Sequence, residues 1–588
     1  MPRPIMWLFK IILSHEKKYA CLEIALMLAA GILAPAAAVM LLWLIDAVTE
    51  GNLWVYPLIL YIGMLFAREG ILALRRFCAA RVLYALGKNM QEETIHKFNR
   101  IPYCLFEQRK SRDILEQIAQ KPSAFLYELY QNIIMIISDT VSAVGYLFVV
   151  GQVHWLLSAG YLFFLLFVIK ASFRSMNGMA RLYDAQTGEE RRMEYLGGLL
   201  TDRDALAELK VFQASDYIVT LWKKTAEKVI GQRLNAERRA QAGFGAGHGA
   251  GVLWLGILMA VMVRSLMNGR IGLGTFIAVL NGSASLTGLA GALSGCGVSV
   301  SRRLSLVNQY MAFEKMTEKE RAKDRVQEEN SVRRNGKEGI EFQDVSFSYP
   351  GSDKRVLEHL SFHIRPGETA ALVGENGAGK STVLKLLCGL YQPEEGRIFL
   401  DGQDIRDLDR QELGRRIGVA FQDFERYSLT VRENVALGNR ELLQDDGEIR
   451  KALKGAMAEE FSACLDQPLG KLKPEGTDLS GGQWQRLAVA RALFGGKPYI
   501  VLDEPAAAID PVAESQMYET FRQSLKGRTG IVVSHRLASA AFSDRIFVIH
   551  EGKAAESGTH RELLEKNGIY AHMWKVQSRW YREGGEEV

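Results

Sequence analysis

Long uncharged apolar stretches are concentrated in the first 310 residues of this 588-residue chain, and the rest alternates short apolar runs with polar ones. A helix needs about 20 mostly apolar residues to cross a bilayer, so the first part predicts membrane-spanning helices. The last predicted span is the weakest, because it is rich in glycine and serine. The six predicted spans are 20–45, 53–74, 132–153, 155–172, 247–265 and 271–296.

The connections between these spans alternate in length and in charge. The short turns "DAVTEGN" and "GQVHW" contain no lysine or arginine. The long connections are basic: they contain Arg75, Arg76, Arg81, Lys88, Lys97, Arg100, Arg191, Arg192, Lys210, Lys223 and Lys224. Because Lys and Arg favour the cytoplasmic side, we expect both long connections and both termini there. Arg264 and Arg270 are an exception, since they are expected outside.

The long connections have helical periodicity, which predicts helices that continue beyond the bilayer. Each is expected to turn at a short segment, near 106–114 and near 202–210, that would be suited to contact a cytoplasmic domain. The N-terminal residues "MPRPIMWLFKIILSHEKKYA" lack a signal-peptide cleavage site and predict an amphipathic helix. Five glycines in the run 242–251 predict close helix packing or a bend.

Ionisable side chains inside the predicted spans need a physical reason, because charge is costly in a bilayer. They are Glu23, Arg68, Glu69, Asp139 and Lys170. In one interpretation Arg68 pairs with Asp139, and Lys170 extends to the interface. In the other, Glu23, Arg68 and Asp139 line a vestibule through which a polar or charged substrate enters from the cytoplasm.

Composition narrows the class of partner. The net charge of +5 is mild for this length, and cytoplasmic Lys and Arg account for it, so no nucleic-acid partner is expected. The six cysteines are scattered without a CxxC spacing. This pattern predicts a reducing environment, with neither disulfides nor a cysteine metal site.

The second half of the chain has a different pattern. Residues 314–338 are charged and poor in apolar residues, which predicts a solvated helix end followed by a linker. From residue 339 short strands alternate with helices. We therefore expect an all-α membrane domain of six helices with cytoplasmic extensions over 1–313, and a P-loop α/β ATPase domain over 339–588.

The segment "ETAALVGENGAGKSTVLKLLCGL" predicts a strand, a glycine-rich loop and a helix. It matches GxxxxGK[ST], whose backbone amides face phosphates at a helix N-terminus. Lys380 is expected to contact the β- and γ-phosphates of ATP, and the Ser381 hydroxyl to ligate Mg²⁺. The expected ATP-binding residues of the loop are Gly374, Asn376, Gly377, Gly379, Lys380, Ser381 and Thr382.

Two carboxylates follow the buried apolar strand in "PYIVLDEP". Asp503 is placed where a Mg²⁺-holding carboxylate belongs. Glu504 is the candidate base that polarises an attacking water. This arrangement predicts ATP hydrolysis.

With these residues the chain resembles the ABC transporters, specifically the exporter-type half-transporter with its membrane domain first. Tyr349 in "FSYPG" matches the aromatic residue that stacks on adenine, and Gln422 matches the Q-loop residue that contacts Mg²⁺ and the water. Asp510 resembles the D-loop aspartate, and His535 the switch histidine at the γ-phosphate. The signature loop is Leu479, Ser480, Gly481, Gly482 and Gln483.

The resemblance implies that two such domains bind head to tail, with each ATP between one P-loop and the opposite signature loop. Ser480 and Gly482 are expected to precede a helix whose N-terminal amides favour the partner's γ-phosphate. Heterodimeric members with a degenerate site usually lose the catalytic glutamate or the signature. Because this chain retains Glu504 and Ser480, a homodimer is favoured, and a heterodimer stays possible.

Three functional classes fit this resemblance. The first is ATP-driven export of a peptide or amphipathic small molecule across the cytoplasmic membrane by alternating access. The second is a flippase for a lipid or lipid-linked glycan, which a strongly basic cavity would favour. The third is a non-transporting sensor or channel, in which a damaged catalytic residue or an added regulatory domain is usual. The intact motifs and mixed intramembrane charges favour the first class.

Overall fold

The computed structural model describes residues 2–108, 111–112, 114–115, 118, 122–152, 155–329, 337–505 and 519–583. Some side chains within the described helices, including those of 171–187 and His248, lie outside this description. By their contacts the residues form two units. The first comprises Met1–Asn99 and Ile114–Lys315, and the second comprises Arg100–Asp113 and Met316–Val588.

The first unit is helical in its described residues. Its helices are α1 (Pro2–Thr49), α2 (Val55–Arg100), α4 (Pro122–Gly151), α5 (Trp155–Leu199), α6 (Arg203–Val211), α7 (Ser215–Met267) and α8 (Leu273–Glu329), and the short α3 (Tyr103–Glu107) groups with the second unit. Several are 45 residues or longer, which is far more than a bilayer requires. The expectation of helices that extend beyond the membrane is therefore met by their lengths.

Five helices have the length and apolar character needed to cross a membrane among the residues described: Arg3–Thr49, Val55–Arg100, Ser123–Gly151, Gly249–Met267 and Leu273–Gly297. The fourth predicted span differs, because its apolar part, Trp155–Lys170, is shorter. It continues into the polar remainder of α5. Large apolar side chains such as Phe66, Phe163 and Leu253 are more than 70% exposed on these helices, which is the surface that lipid would cover.

The N-terminal segment is continuous with the first span but is kinked at Glu16, where the backbone is not helical. One face of this amphipathic segment is packed, since Leu8 and Ile12 are almost completely buried. The indole Nε1 of Trp7 donates a 2.7 Å hydrogen bond to Glu314 in α8. Lys97 of α2 donates to the same carboxylate at 3.0 Å. The segment thus contacts α8 at the same carboxylate that Lys97, near the end of α2, also contacts.

Glycines allow α5 and α7 to pack closely along their length. A Cβ at Gly160 of α5 would lie 2.0 Å from the Trp254 ring, and one at Gly251 of α7 would lie 2.5 Å from Phe164. Of the glycines in the predicted run whose surroundings the structure describes, Gly251 packs closely, whereas a Cβ at Gly245 or Gly249 would meet nothing within 4 Å.

The second unit contains two sheets. Its strands are β1 (Ile340–Ser348), β2 (Arg355–Ile364), β3 (Thr369–Val373), β4 (Glu395–Leu400), β5 (Gln403–Asp404), β6 (Ile417–Ala420), β7 (Tyr499–Asp503), β8 (Thr529–Val533), β9 (Arg545–His550) and β10 (Lys553–Gly558). One sheet is antiparallel, in the order β2-β1-β4-β5. The other has the order β10-β9-β3-β8-β7-β6 and is parallel except for β10.

Helices cover both sheets. They are α9 (Lys380–Leu387), α10 (Arg410–Arg416), α11 (Val431–Ala436), α12 (Asp446–Gly455), α13 (Gly481–Leu493), α14 (Leu537–Ala540), α15 (His560–Glu565) and α16 (Ile569–Glu583). Strands β3, β7 and β8 are mainly apolar and are buried at every position except Thr369, as expected of parallel strands covered on both faces. The expected P-loop α/β domain is what the structure contains.

The short helix α3 lies where the first long connection turns. The Tyr103 ring meets the Tyr391 ring edge-on at 5.7 Å, and Cys104 packs against the apolar core beneath the antiparallel sheet. The expected contact segment was 106–114, so the helix begins slightly earlier than predicted. The second expected segment, 202–210, is the nine-residue helix α6, capped by Asp202, whose side chain accepts from Asp204 and Ala205.

Candidate functional site

Four functional segments meet at one edge of the parallel sheet. The glycine-rich loop follows β3, Gln422 follows β6, Glu504 follows β7 and His535 follows β8. These strands are neighbours in the order β3-β8-β7-β6. Because parallel strands end on the same side, the segments converge in the crevice where α/β proteins bind ligands.

The glycine-rich loop has a backbone that requires glycine at defined positions. Gly374 has φ of +154°, and a Cβ there would lie 2.2 Å from the carbonyl oxygen of Ile549. Gly379 has φ of +103° and is the N-cap of α9. The buried Lys380 donates from Nζ to the carbonyls of Gly374 and Glu375, each at 2.8 Å. Burial lowers the pKa of Lys380, and the nearby carboxylates partly offset this effect.

Asp503 has the features of a metal ligand. Its Oδ1 atom is shielded from solvent and has no hydrogen-bond partner in the described part of the chain. Burial raises the pKa of Asp503 to about 6, and a hydrogen bond with Ser381 partly opposes the rise. A buried carboxylate oxygen without a partner beside a hydroxyl fits Mg²⁺, which prefers oxygen ligands.

Glu504 is the centre of the site. Its Oε1 lies 2.7 Å from Nε2 of His535, and its Oε2 accepts from Nε2 of Gln422 at 3.1 Å. Burial, followed by the charge of Lys380, lowers the pKa of His535, so the imidazole is neutral near pH 7. A neutral imidazole beside a carboxylate donates its N–H to that carboxylate. The structure therefore brings together three of the predicted catalytic residues.

Two residues that sequence reasoning missed hold this centre in position. Gln485 of α13 donates from Nε2 to the carbonyl oxygen of Glu504 at 2.8 Å. Gln577 of α16 donates to the carbonyl of His535 at 2.7 Å and accepts from the amide of Leu537 at 2.9 Å. No short motif marks either glutamine, because each acts on backbone atoms of a segment distant in sequence.

The predicted adenine-stacking residue lies next to the glycine-rich loop. The Tyr349 hydroxyl is 3.0 Å from the Thr382 hydroxyl. The ring contacts Phe347 and Tyr391 edge-on, and Nζ of Lys385 lies 5.3 Å from its centroid. The Tyr349 side chain is half-buried, so part of it stays accessible to a ligand.

The signature loop lies at the start of α13. Ser480 is the N-cap: its Oγ accepts from the Gln483 amide at 3.3 Å, and its own amide donates to the Gln483 side chain at 3.0 Å. Gly482 was expected to precede the helix, but it lies in the first turn, because the capping box begins the helix at Gly481. Ser480 and Gly481 are exposed, and Leu479 is half-buried against an apolar core.

One predicted residue cannot be placed. Asp510 lies in 506–518, outside the described residues.

The predicted vestibule residues share no hydrogen bond or ion pair with one another in the part of the chain that the structure describes. Glu23 is completely buried between α1 and α4, where Oε1 accepts from the Tyr127 hydroxyl at 3.2 Å and also contacts the Gln131 amide. Among the residues described, no ion pair joins Arg68 to Asp139. Arg68 Nε and Asp139 Oδ2 are both shielded without a hydrogen-bond partner in that part of the chain. The pairing interpretation is therefore not realised in this conformation.

Comparison with known proteins agrees with this site. Residues 357–507 match the family described as ABC transporter. The subtilin transport ATP-binding protein SpaT of Bacillus subtilis is 28% identical over 580 residues, which are 96% of this chain and 92% of that protein. An ATP-dependent lipid A-core flippase of Hahella chejuensis is 28% identical over 90% of this chain and 88% of its own length.

A solved structure has the same fold. A bacterial Atm1-family ABC exporter with ATP bound superposes with a TM-score of 0.73 and 24% identity, over 96% of this chain and 98% of that one. The likeness extends across the helical part and the two-sheet part. With the ABC transporter match over residues 357–507 and the relatives named as transporters, this likeness supports the interpretation of the chain as an exporter-type ABC half-transporter, with several membrane-spanning helices and an ATP-hydrolysing C-terminal domain.

Proposed function

We propose that two copies of this chain form a homodimer that exports a peptide or amphipathic small molecule across the cytoplasmic membrane. One observation carries the proposal: Glu504, Gln422 and His535 meet beside the P-loop, while Ser480 and Gly481 are exposed at a helix start. Each chain thus has the residues that hydrolyse its own ATP, and its exposed signature loop is suited to bind the γ-phosphate of an ATP held by the other chain. The two halves complement each other when two chains face each other.

The roles of the residues follow from their chemistry. Lys380 and the loop amides bind the phosphates, and Tyr349 packs on the base. Ser381, Asp503 and Gln422 would hold Mg²⁺, which supplies charge neutralisation on the phosphate oxygens. Glu504 accepts a proton from the attacking water, because its two oxygens are already oriented by His535 and Gln422. Ser480 and the amides of Gly481 and Gly482 stabilise the γ-phosphate of the partner's ATP.

Closure of the dimer on two ATP molecules is proposed to drive the transport step. Shifting a conformational equilibrium from 1:99 to 99:1 requires about 5.5 kcal/mol of differential binding. The binding free energy of two ATP molecules enclosed between the domains is large enough to supply this difference. Helices that continue into cytoplasmic extensions, such as α5 and α7, carry the movement to the bilayer. Hydrolysis then separates the domains.

The relatives bear on the choice of substrate. A peptide is favoured because SpaT, which matches along 92% of its length, is named for subtilin transport. A lipid flippase is the second candidate, because other relatives that match over most of their length carry that name. The ionisable residues of the predicted spans have mixed charge, with Glu23 and Asp139 acidic and Arg68 basic, and this mixture does not favour an anionic glycolipid.

A reconstitution experiment separates the two candidates. The full-length protein would be placed in proteoliposomes with its ATPase domain outside, together with either fluorescent subtilin or a fluorescent lipid A analogue. We expect ATP-dependent accumulation of the peptide that is lost in Glu504→Gln. Movement of the lipid without the peptide would reject peptide export in favour of a flippase, and movement of neither would reject both.

A further inference from the structure

A cavity of about 610 Å³ lies in the second unit, away from the ATP-binding residues. It is formed by the end of β2, the start of β9, strand β10 and the residue after α15. We name it the basic groove, because its charged and aromatic lining residues are mainly Arg365, Arg545, Lys566, His363 and the rings of Phe362 and Phe547, with Glu556 as its acidic member. Its volume is in the range of small-molecule sites.

The cations of the basic groove are not neutralised by ion pairs. Within the described ranges, Arg365, Arg545 and Lys566 have no carboxylate within 4 Å. The Nε of Arg545 is shielded from solvent and has no hydrogen-bond partner there. Its guanidinium lies 5.7 Å from the Phe547 ring centroid, which holds it over the aromatic floor. Lys566 makes one long hydrogen bond, at 3.3 Å, to the carbonyl of Ser557.

The nearby carboxylates are already used by the backbone. Both oxygens of Glu556 accept amides at the start of α16, from Ile569 at 2.7 Å and from Tyr570 at 3.0 Å. Glu562, beside the groove, accepts from the Thr559 amide; that bond is the main reason that its pKa is lowered, and the charges of Lys566 and Arg545 lower it further. Both acids stabilise helix starts, and although Glu562 is close enough to feel the charges of Arg545 and Lys566, neither cation forms an ion pair within 4 Å in the described ranges, so their donors can bind an anion.

The basic groove is distinct from the ATP site. Strands β3 and β9 are parallel, with Ala370 opposite Arg545 and Val373 opposite Val548. The P-loop follows Val373, whereas Arg545 is at the other end of its strand. Ala370 is level with Arg545, and the P-loop begins at Gly374, four residues later, which is about 13 Å along the strand at 3.3 Å per residue. ATP bound at the P-loop therefore does not occupy the groove.

We propose that the basic groove binds a phosphate ester. Arginine forks and an ammonium group match phosphate oxygens, and the apolar floor accommodates an organic substituent. Two sources share this chemistry: a soluble phosphorylated metabolite and the headgroup of a phospholipid. Because the groove joins the antiparallel sheet to the parallel sheet, an occupant links the two and stabilises the domain. The proposal does not depend on which substrate is transported.

The test uses the full-length protein in phosphatidylcholine nanodiscs, with Lys380→Ala in every sample to remove phosphate binding at the P-loop. Titration calorimetry with glycerol 3-phosphate is expected to show one site per chain. The double variant Arg545→Gln, Lys566→Gln should weaken this binding by about tenfold or more, because charge-assisted hydrogen bonds are lost.

A matched control removes two exposed positive charges outside the groove, with Arg397→Gln and Lys526→Gln. It should bind as the parent does. In a second arm, nanodiscs containing phosphatidylglycerol replace the soluble probe, and a rise in melting temperature that needs Arg545 and Lys566 identifies the lipid headgroup as the source. No site for either probe, or equal binding by the groove and control variants, would overturn the proposal.

Discussion

The Nε2 atom of His535 lies 2.7 Å from Oε1 of Glu504, and this contact joins the ends of two adjacent strands. Gln422 donates to the other oxygen from the end of a third strand. Glu504 also has φ of +49°, a conformation that costs a non-glycine residue of order 1–3 kcal/mol. The strained backbone and the two side-chain contacts together orient the Glu504 carboxylate toward the ligand crevice.

Replacing Glu504 with Gln keeps the shape of this centre but removes the proton acceptor. General-base catalysis contributes roughly 10²–10⁴-fold, so we expect ATPase turnover to fall by at least about 10². ATP binding should be retained, because the P-loop contacts are unchanged. Phosphate release and nucleotide binding measured on the same preparation test both parts. Glu565→Gln, an exposed glutamate on α15, is the control. Undiminished turnover in Glu504→Gln would exclude the proposed role.

Gln485 is predicted to act as a positioning residue through the backbone carbonyl of Glu504. In Gln485→Ala that carbonyl loses its donor, and the strained φ of Glu504 is free to relax. A lost hydrogen bond of about 1–1.5 kcal/mol corresponds to about a tenfold fall in kcat, with the dissociation constant for ATP unchanged. Gln523→Ala, on the surface, should have no effect. An equal loss of ATP affinity would indicate general damage to the fold instead.

The sequence was sufficient for the parts of the site that depend on local backbone chemistry. The spacing of Gly374, Gly379 and Lys380 encodes a loop with positive φ followed by a helix, and the structure has both. Gln485 and Gln577 could not be predicted in the same way. Their partners are backbone carbonyls brought near only by the order of the strands, so no pattern of side chains marks them.

The membrane part was predictable to a lesser degree for a related reason. Apolar length predicts where helices run, but not which faces of those helices meet. Thus the spans were placed closely, whereas the pairing of Arg68 with Asp139 was wrong for this conformation, and the burial of Glu23 against Tyr127 was not foreseen. These contacts depend on how each helix is rotated about its own axis, and hydropathy along the sequence carries no information about that rotation.

Two glycines in the membrane helices offer a paired test of packing. A Cβ at Gly160 would lie 2.0 Å from the Trp254 ring, whereas one at Gly256 would meet nothing within 4 Å. Gly160→Ala should therefore separate α5 from α7 and lower the melting temperature of the purified protein. Gly256→Ala should be neutral or stabilising by up to about 1 kcal/mol, because alanine is the better helix former. Equal behaviour of the two variants would show that this packing does not limit stability.

Cysteine cross-linking tests whether Ser480 faces the opposite P-loop. Asn376→Cys and Ser480→Cys would be placed on two differently tagged chains in the Glu504→Gln background, since Asn376 and Ser480 are both exposed. A disulfide requires Cα atoms within about 7 Å, so a bond between chains that appears only with ATP supports the sandwich. Each single variant controls for the native cysteines. If ATP produces no bond between the two differently tagged chains, the head-to-tail arrangement is contradicted.

The pH dependence of hydrolysis is predicted to follow Asp503. Burial raises its pKa to about 6, so the carboxyl is protonated below that pH and ionised above it. Only the ionised form binds Mg²⁺, and kcat/KM should fall as the pH is lowered through about 6 rather than near the ordinary value of about 4. Higher Mg²⁺ should move the acid limb to lower pH, because metal and proton compete for one oxygen.

The nearby charge of Asp423 contributes to the raised pKa of Asp503, so Asp423→Asn should also move the acid limb to lower pH. Profiles of kcat/KM against pH, recorded at low and high Mg²⁺ for the unsubstituted protein and for Asp423→Asn, measure these shifts. An acid limb that ignores the metal concentration would remove Asp503 from the metal site.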